Sequence, residues 1–248
     1  MVKGLDTFCK YFAAYADQYV LIGGAACDIM FESNGSNFRA TRDLDMVLIV
    51  EALTPEFGEK FWKFIVAGNY RNKATSGGKP QFYRFDKPEN DSFPKMIELF
   101  CRSDFELKRA EGITPIHIDE GISSLSAILL DEDYYRTLLD GKVVKNGLSV
   151  LRPEYIILFK AKAYLDLKMR KEIGESVDSN NIRKHKKDIL RIAAEIMLEK
   201  VAGLPSSVKA DIHKFIDSLK EEPWDQNSLK MYGIKNADVV VLLRQIFE

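Results

Sequence analysis

The sequence predicts an α/β (α+β) chain with a sheet-bearing N-terminal half and a helical C-terminal half. Three observations carry that reading. Residues Tyr19 to Ile22 form a short apolar run that stops at Gly23-Gly24, and helical character resumes over Ala25 to Phe31, which is the order strand, glycine turn, helix. After Asp45, the stretch Asp43 to Val50 is apolar on both alternating faces, as a central strand covered on both sides must be. From Pro153 onward the apolar spacing is helical. The domain boundary therefore falls near Leu151, with residues 1–151 as the first domain and 152–248 as the second.

Taken in order, Leu5 to Tyr19 places Leu5, Phe8, Phe12, Tyr15 and Ala16 at three-and-four spacing, the pattern of an amphipathic helix. Glu32 to Asn37 reads as a loop by composition. On the strand from Asp43, alternation puts Asp43, Asp45, Val47 and Ile49 on one face and Leu44, Met46, Leu48 and Val50 on the other. Only its first residues can lie at an open edge, and both carboxylates fall there. Pro55 to Val66 reads as a helix with Thr54 as N-cap and Pro55 in its first turn. A loop from Thr75 to Pro80 precedes strand candidates at Gln81 to Phe85 and Lys95 to Phe100, with Ile116 to Ile118 a further one. Val143-Val144 and Leu148 to Leu151 flank Asn146-Gly147, the strongest short hairpin signal. Helices follow over Glu154 to Lys171, Asn181 to Ala202, Ser206 to Leu219 and Asn236 to Phe247.

Composition narrows the class. Of the 248 residues, 46% are apolar and 29% charged, ordinary for a soluble domain. No apolar run approaches the roughly 20 residues of a membrane helix. The first ten residues mix Lys3, Asp6 and Lys10 with apolar positions, so no signal peptide is expected. Cys9, Cys27 and Cys101 are widely spaced and read as reduced thiols, which makes the cytoplasm the expected compartment. A formal net charge of −1 argues against a protein that coats nucleic acid with its whole surface. The stretch Lys160 to Arg191 is nevertheless basic, and Arg183, Lys184, Lys186, Lys187 and Arg191 could form a local cationic face. His117, His185 and His213 have no metal-ligand spacing, and no zinc is expected.

The chemistry centres on Asp43-Leu44-Asp45. Carboxylates at i and i+2 of a strand project into the same space, repel each other and call for cations; hard oxygen ligands suit Mg²⁺. An exposed, solvated pair would satisfy the same dipeptide. The Gly23-Gly24 turn, between strand and helix, can face an anion with backbone N–H groups and a helix amino end, or be a plain turn. Glu98 is a single carboxylate in the apolar run Lys95 to Phe100. It reads either as a metal-facing group or as a solvated residue of an edge strand.

Together these features resemble the polymerase β-like nucleotidyltransferase superfamily, and more closely the nucleotidyltransferase-like toxins of abortive-infection type (AbiEii/AbiGii). The residues that carry the resemblance are L-I-G-G-A-A at 21–26, R-A-T-R-D-L-D at 39–45, M-I-E-L-F at 96–100, P-E-Y-I-I-L-F-K-A-K-A-Y at 153–164 and K-H-K-K-D at 184–188. The resemblance implies a nucleotidyltransferase core with a mixed, twisted sheet, followed by a C-terminal helical bundle. It implies two Mg²⁺ ions on Asp43, Asp45 and Glu98, with an NTP as co-substrate cradled at Gly23 and Gly24. It places Arg39 and Thr41 near phosphate and makes Lys160 a phosphate-contacting lysine, with Lys162 a weaker match. It gives Asp188 the task of orienting Lys160 or the acceptor. Implied partners are tRNA or another RNA, reached through the basic face Arg183 to Arg191, and an antitoxin protein; no membrane is implicated. The expected activity is Mg²⁺-dependent transfer of a nucleotide to an acceptor hydroxyl on RNA or protein, by a toxin of a toxin–antitoxin or abortive-infection system.

The chain departs from the family pattern in three places. The segment between Gly24 and Asp43 is long, the third carboxylate is Glu, and Arg191 stands where a second Asp is common. Two alternatives stay open: a small-molecule, antibiotic-type nucleotidyltransferase, and a non-catalytic nucleotide-binding module.

Overall fold

The computed structural model describes residues 3–32, 43–74, 80–100, 128 and 131–248. The chain divides into two compact units, Met1–Ile122 with Lys142–Leu151, and Ser123–Gly141 with Arg152–Glu248. The helix Glu132–Asp140 is therefore grouped with the helical unit, and the hairpin that follows it returns to the sheet. No helix among the described residues is long and apolar enough to cross a membrane.

The first unit is mixed α/β. Among the described residues its strands are β1 (Tyr19–Ile22), β2 (Asp43–Leu48), β3 (Arg71–Ala74), β4 (Pro80–Asp86), β5 (Met96–Phe100), β6 (Lys142–Lys145) and β7 (Leu148–Leu151), in the order β3-β4-β5-β2-β1-β7-β6. β2 runs parallel to β5 and antiparallel to β1, and β1 runs parallel to β7. β2 is thus central, and its residues Met46, Val47 and Leu48 are fully buried, as expected for a strand apolar on both faces.

Among its described residues this unit has the helices α1 (Leu5–Phe12), α2 (Gly23–Glu32) and α3 (Pro55–Ala67). The helical spacing that opens at Leu5 ends at Phe12, and Ala13–Tyr15 tightens into one 3₁₀ turn. The α3 start is as the sequence indicates: the Thr54 hydroxyl accepts from the Phe57 N–H, and Pro55 stands where no intrahelical donor is needed. α1 and α3 meet through aromatic rings. Phe12 lies 4.5 Å from Phe8, 5.6 Å from Phe57 and 5.3 Å from Phe64, centroid to centroid. Tyr19 of β1 and Phe85 of β4 carry the sheet into the same cluster. These rings bury large areas and favour the tilted and edge-on contacts seen here.

The β6–β7 hairpin turns on Asn146 and Gly147, at φ 51° and 78°. Two successive positive φ values define the turn whose twist matches antiparallel strands, and Asn-Gly is the pair that adopts it with least strain.

The second unit contains α4 (Glu132–Asp140), α5 (Pro153–Glu172), α6 (Ser179–Glu195), α7 (Ser206–Ser218), α8 (Gln226–Tyr232) and α9 (Asn236–Phe247). Asp131, Asp178 and Asp225 cap α4, α6 and α8 by accepting backbone N–H bonds. Helix α5 buries Tyr155 to Ala161 without interruption, so it lies inside its unit with neighbours on all sides. The sequence reading omits β3, α4 and α8. Its strand at Ile116 to Ile118 lies outside the described residues, as do most of its loops at Glu32 to Asn37 and Thr75 to Pro80.

Because Phe12 is fully buried among rings, Phe12→Ala is expected to destabilise the chain by roughly 3–5 kcal/mol. Urea unfolding followed by near-UV circular dichroism measures this; a loss below about 1 kcal/mol would mean that the cluster is not packed as described.

Candidate functional site

The acidic residues singled out in the sequence become neighbours through strand register. In the parallel pair β2–β5, Asp45 stands opposite Glu98 and Asp43 opposite Met96. In-register residues of adjacent strands point to the same side of a sheet, and alternation adds the residue two places away. Asp43, Asp45 and Glu98 therefore share one face. All three are partly exposed, whereas Leu44, Met46 and Ile97 between them are fully buried. The carboxylates thus line an accessible surface over an apolar base.

The antiparallel pair β4–β5 adds a residue that the sequence reading did not select. Arg84 stands opposite Glu98, and its Nη2 forms an ion pair with Glu98 Oε1. Neighbouring Phe85 pairs with Ile97 and sends its ring to the opposite face, against Phe61 and Trp62. The alternation Arg84-Phe85 was legible in the sequence. The partner of Arg84 was not, because register alone decides which β5 residue it meets.

Gly23 is required twice at the start of α2. Its φ is +63°, a region that costs an L residue about 1–2 kcal/mol. A Cβ there would also come within 2.3 Å of Asp45 Oδ2. The Asp45 carboxylate consequently lies against the amino end of α2, where the helix dipole favours negative charge. Gly24 is buried behind it. The glycine pair expected to cradle a triphosphate is therefore already faced by an acidic side chain. A phosphate approaching that helix end meets like charge unless a cation lies between them.

In the helical unit, Lys160 on α5 and Asp188 on α6 meet directly. Lys160 Nζ lies 2.7 Å from Asp188 Oδ2, with side chains only 10% and 5% exposed. Lys162 points elsewhere, as helical geometry requires, and lies 3.1 Å from Asp211 and 3.3 Å from Asp166. Burial opposes its charge, but the hydrogen bond from Lys162 to Asp211 and the charge of Asp166 outweigh it and raise the Lys162 pKa. Tyr134 donates to the same Asp211 at 3.0 Å. Burial, followed by the Asp211 charge, raises the Tyr134 pKa and keeps the phenol protonated. Lys162 is thus tied into a polar network of its own unit. Arg191 pairs with Glu195 one turn on, at 3.5 Å.

The basic run on α6 divides into two sets. Arg183, Lys184 and Lys187 are exposed. Lys186 instead donates to the carbonyls of Glu222 and Pro223, and it sits 5.8 Å from the Tyr164 ring and 6.0 Å from that of Trp224. Burial lowers the Lys186 pKa against the pull of Glu222, and Lys168 lowers it further. Lys186 fastens the helix in place; the other three are available to an outside anion.

Arg39 and Thr41 lie outside the described residues. For a metal, the three carboxylates on this face are hard oxygen donors of the kind Mg²⁺ selects, but their placement does not form a ligand set. Among the described residues, no group of three or more His, Cys, Asp or Glu is gathered closely enough to hold an ion. Glu98 is turned to Arg84 and Asp45 to Gly23, so the carboxylates would have to turn toward the ion. No protein-family model, no curated protein and no solved structure matches the chain.

Two expected outcomes follow from these contacts. Asp188→Ala leaves the Lys160 ammonium buried beside a lost partner and is expected to cost about 3–5 kcal/mol in urea unfolding. The double change Lys160→Met with Asp188→Leu should cost clearly less, and equal costs would mean that the pair is not buried as described. Gly23→Ala should cost about 1–2 kcal/mol from its positive φ. Combining it with Asp45→Ala should give less than the sum of the two losses, because the second change removes the atom that the new Cβ meets; strict additivity would refute that contact.

Proposed function

We propose that this chain is a Mg²⁺-dependent nucleotidyltransferase that moves a nucleotide from an NTP to an acceptor hydroxyl on RNA, such as tRNA, or on protein. The observation that carries the reading is the placement of Asp45 directly opposite Glu98, with Asp43 two residues away on the same face, beside the amino end of α2. Two short acidic motifs more than fifty residues apart are unlike-purpose neighbours in a purely structural sheet, where facing carboxylates destabilise the pairing. A site that uses cations gives them a purpose.

Asp43, Asp45 and Glu98 would hold the ions, which supply the lowered pKa of an acceptor hydroxyl and neutralise charge on the pyrophosphate that leaves. The chain's own residues do the rest. Asp43 and Asp45 would present their carboxylate oxygens to the cations. The α2 amino end, where backbone N–H groups and the dipole favour anions, would receive the triphosphate only with a cation between it and the Asp45 carboxylate. Arg183, Lys184 and Lys187 offer an RNA backbone three exposed cations on one helix. Asp188 holds the Lys160 ammonium in a single direction. The sequence resemblance places such an enzyme among toxins of toxin–antitoxin or abortive-infection systems.

A non-catalytic nucleotide-binding module is the second reading, and the Arg84–Glu98 ion pair favours it, because an arginine already answers the third carboxylate. One experiment separates the two. The purified chain is incubated with each α-labelled NTP, Mg²⁺ and total tRNA or cell extract. Label is expected on an acceptor, falling more than about 100-fold in Asp45→Asn, as loss of a metal-binding group requires. Transfer at the wild-type level in that variant would refute the assigned site.

A further inference from the structure

We propose that Lys186 is a nucleophilic lysine, placed to be acylated by an acyl thioester. The site lies wholly within the helical unit, on α6, and does not depend on the nucleotidyltransferase reading.

The surroundings of the nitrogen come first. Lys186 is half-buried, and its Nζ donates to the carbonyl oxygens of Glu222 and Pro223 in the connection between α7 and α8. The Tyr164 and Trp224 rings stand 5.8 and 6.0 Å from the nitrogen. That is the outer reach of cation–π attraction, so the rings exclude water from the amine more than they hold its charge. Trp224 is fixed in turn, because its Nε1 donates to the Lys186 carbonyl at 2.9 Å. The Glu222 carboxylate is engaged elsewhere: Oε1 accepts from Lys168 Nζ at 2.7 Å and Oε2 from the Tyr164 hydroxyl at 2.9 Å. Lys186 therefore meets the carbonyls of this connection and not its acid group, with the Lys168 cation nearby. Burial, with Lys168 behind it, outweighs the pull of Glu222 and Asp225 and lowers the Lys186 pKa.

A desolvated lysine beside another cation is an activated amine. Hydrogen bonding points the same way. A neutral primary amine keeps two N–H groups, one for each carbonyl, so losing the third proton costs neither bond and leaves a lone pair to attack. The amine attacks the thioester carbonyl carbon. A C–N bond forms, the C–S bond breaks, and the thiolate leaves with the proton that the nitrogen releases. The product amide keeps one N–H for the two carbonyls, and its acyl chain can lie against the rings. A neutral imine, the product with an aldehyde, keeps no N–H and would leave both carbonyls unanswered. The site therefore favours acyl donors over aldehydes. Acylation also removes one tie between α6 and the α7–α8 connection, and one positive charge from the basic run. Lys184 and Lys187, on the same helix, are exposed to water, which favours the charged form of any lysine.

The test compares three lysines of one helix. The full chain is treated near neutral pH with a limiting amount of a small acetyl thioester, and acetylation at Lys184, Lys186 and Lys187 is followed by peptide mass spectrometry. Lys186 is expected to react about threefold or more faster than either neighbour. In urea concentrated enough to unfold the chain, the three should react alike. Lys168→Gln removes the neighbouring cation and releases the Glu222 carboxylate; it should slow Lys186 roughly twofold or more and leave Lys184 and Lys187 at their wild-type rates. The Lys168 side chain is 31% exposed, so this variant is expected to keep the fold, which far-UV circular dichroism checks. Labelling of Lys186 no faster than that of its neighbours overturns the inference. So does a preference that persists in urea, which would come from local sequence alone, and so does an unchanged Lys186 rate in folded Lys168→Gln.

Discussion

Placing carboxylates opposite each other on adjacent parallel strands is the constraint around which the sheet unit is arranged. Asp45 and Glu98 are held side by side by the β2–β5 register, and the apolar residues alternating with them are buried, so neither strand can slip without turning its core face outward. The repulsion therefore has to be answered locally. The neighbourhood answers it with a helix amino end against Asp45 and an arginine against Glu98. Each answer demands a particular residue type: glycine at 23, because both the backbone angle and the carboxylate exclude a side chain, and a strand cation at 84, because only β4 borders β5 on that side.

The helical unit handles charge in the opposite way. Lys160 and Asp188 are buried against each other on α5 and α6, and their mutual attraction compensates for lost hydration only as long as both remain. Around them, Lys162, Asp211, Asp166 and Tyr134 tie α4, α5 and α7 together, while Lys186 anchors α6 to the backbone at Glu222 and Pro223. These paired charges specify which helix faces meet. On α6, Arg183, Lys184 and Lys187 are exposed.

Much of the local structure was legible in the residues because it depends on near neighbours. The Thr54 cap, the Asn146-Gly147 turn, the strand at Asp43 and the helices after Pro153 all follow from spacing and turn chemistry. The elements missed are those with weak local signals. Helix α8 has only 7 residues, α4 is short and carries acidic residues in its first turn, and β3 is a four-residue strand of polar character at the edge of the sheet. Such segments are ordered by what they pack against.

By itself, the sequence determined that Asp43 and Asp45 share a face, that Gly23 follows a strand and opens a helix, and that Lys160 lies on the packed side of its helix. Each follows from the fixed period of strand or helix. Which residues those groups would meet was decided by the tertiary structure alone. The partnership of Glu98 with Asp45, the placement of Arg84 on Glu98, the pressing of Asp45 against Gly23 and the union of Lys160 with Asp188 all join positions at least 14 residues apart. The physical reason is that strand order and register are selected by the whole apolar core at once, through non-directional burial summed over the unit, and no local pattern records the outcome of that sum.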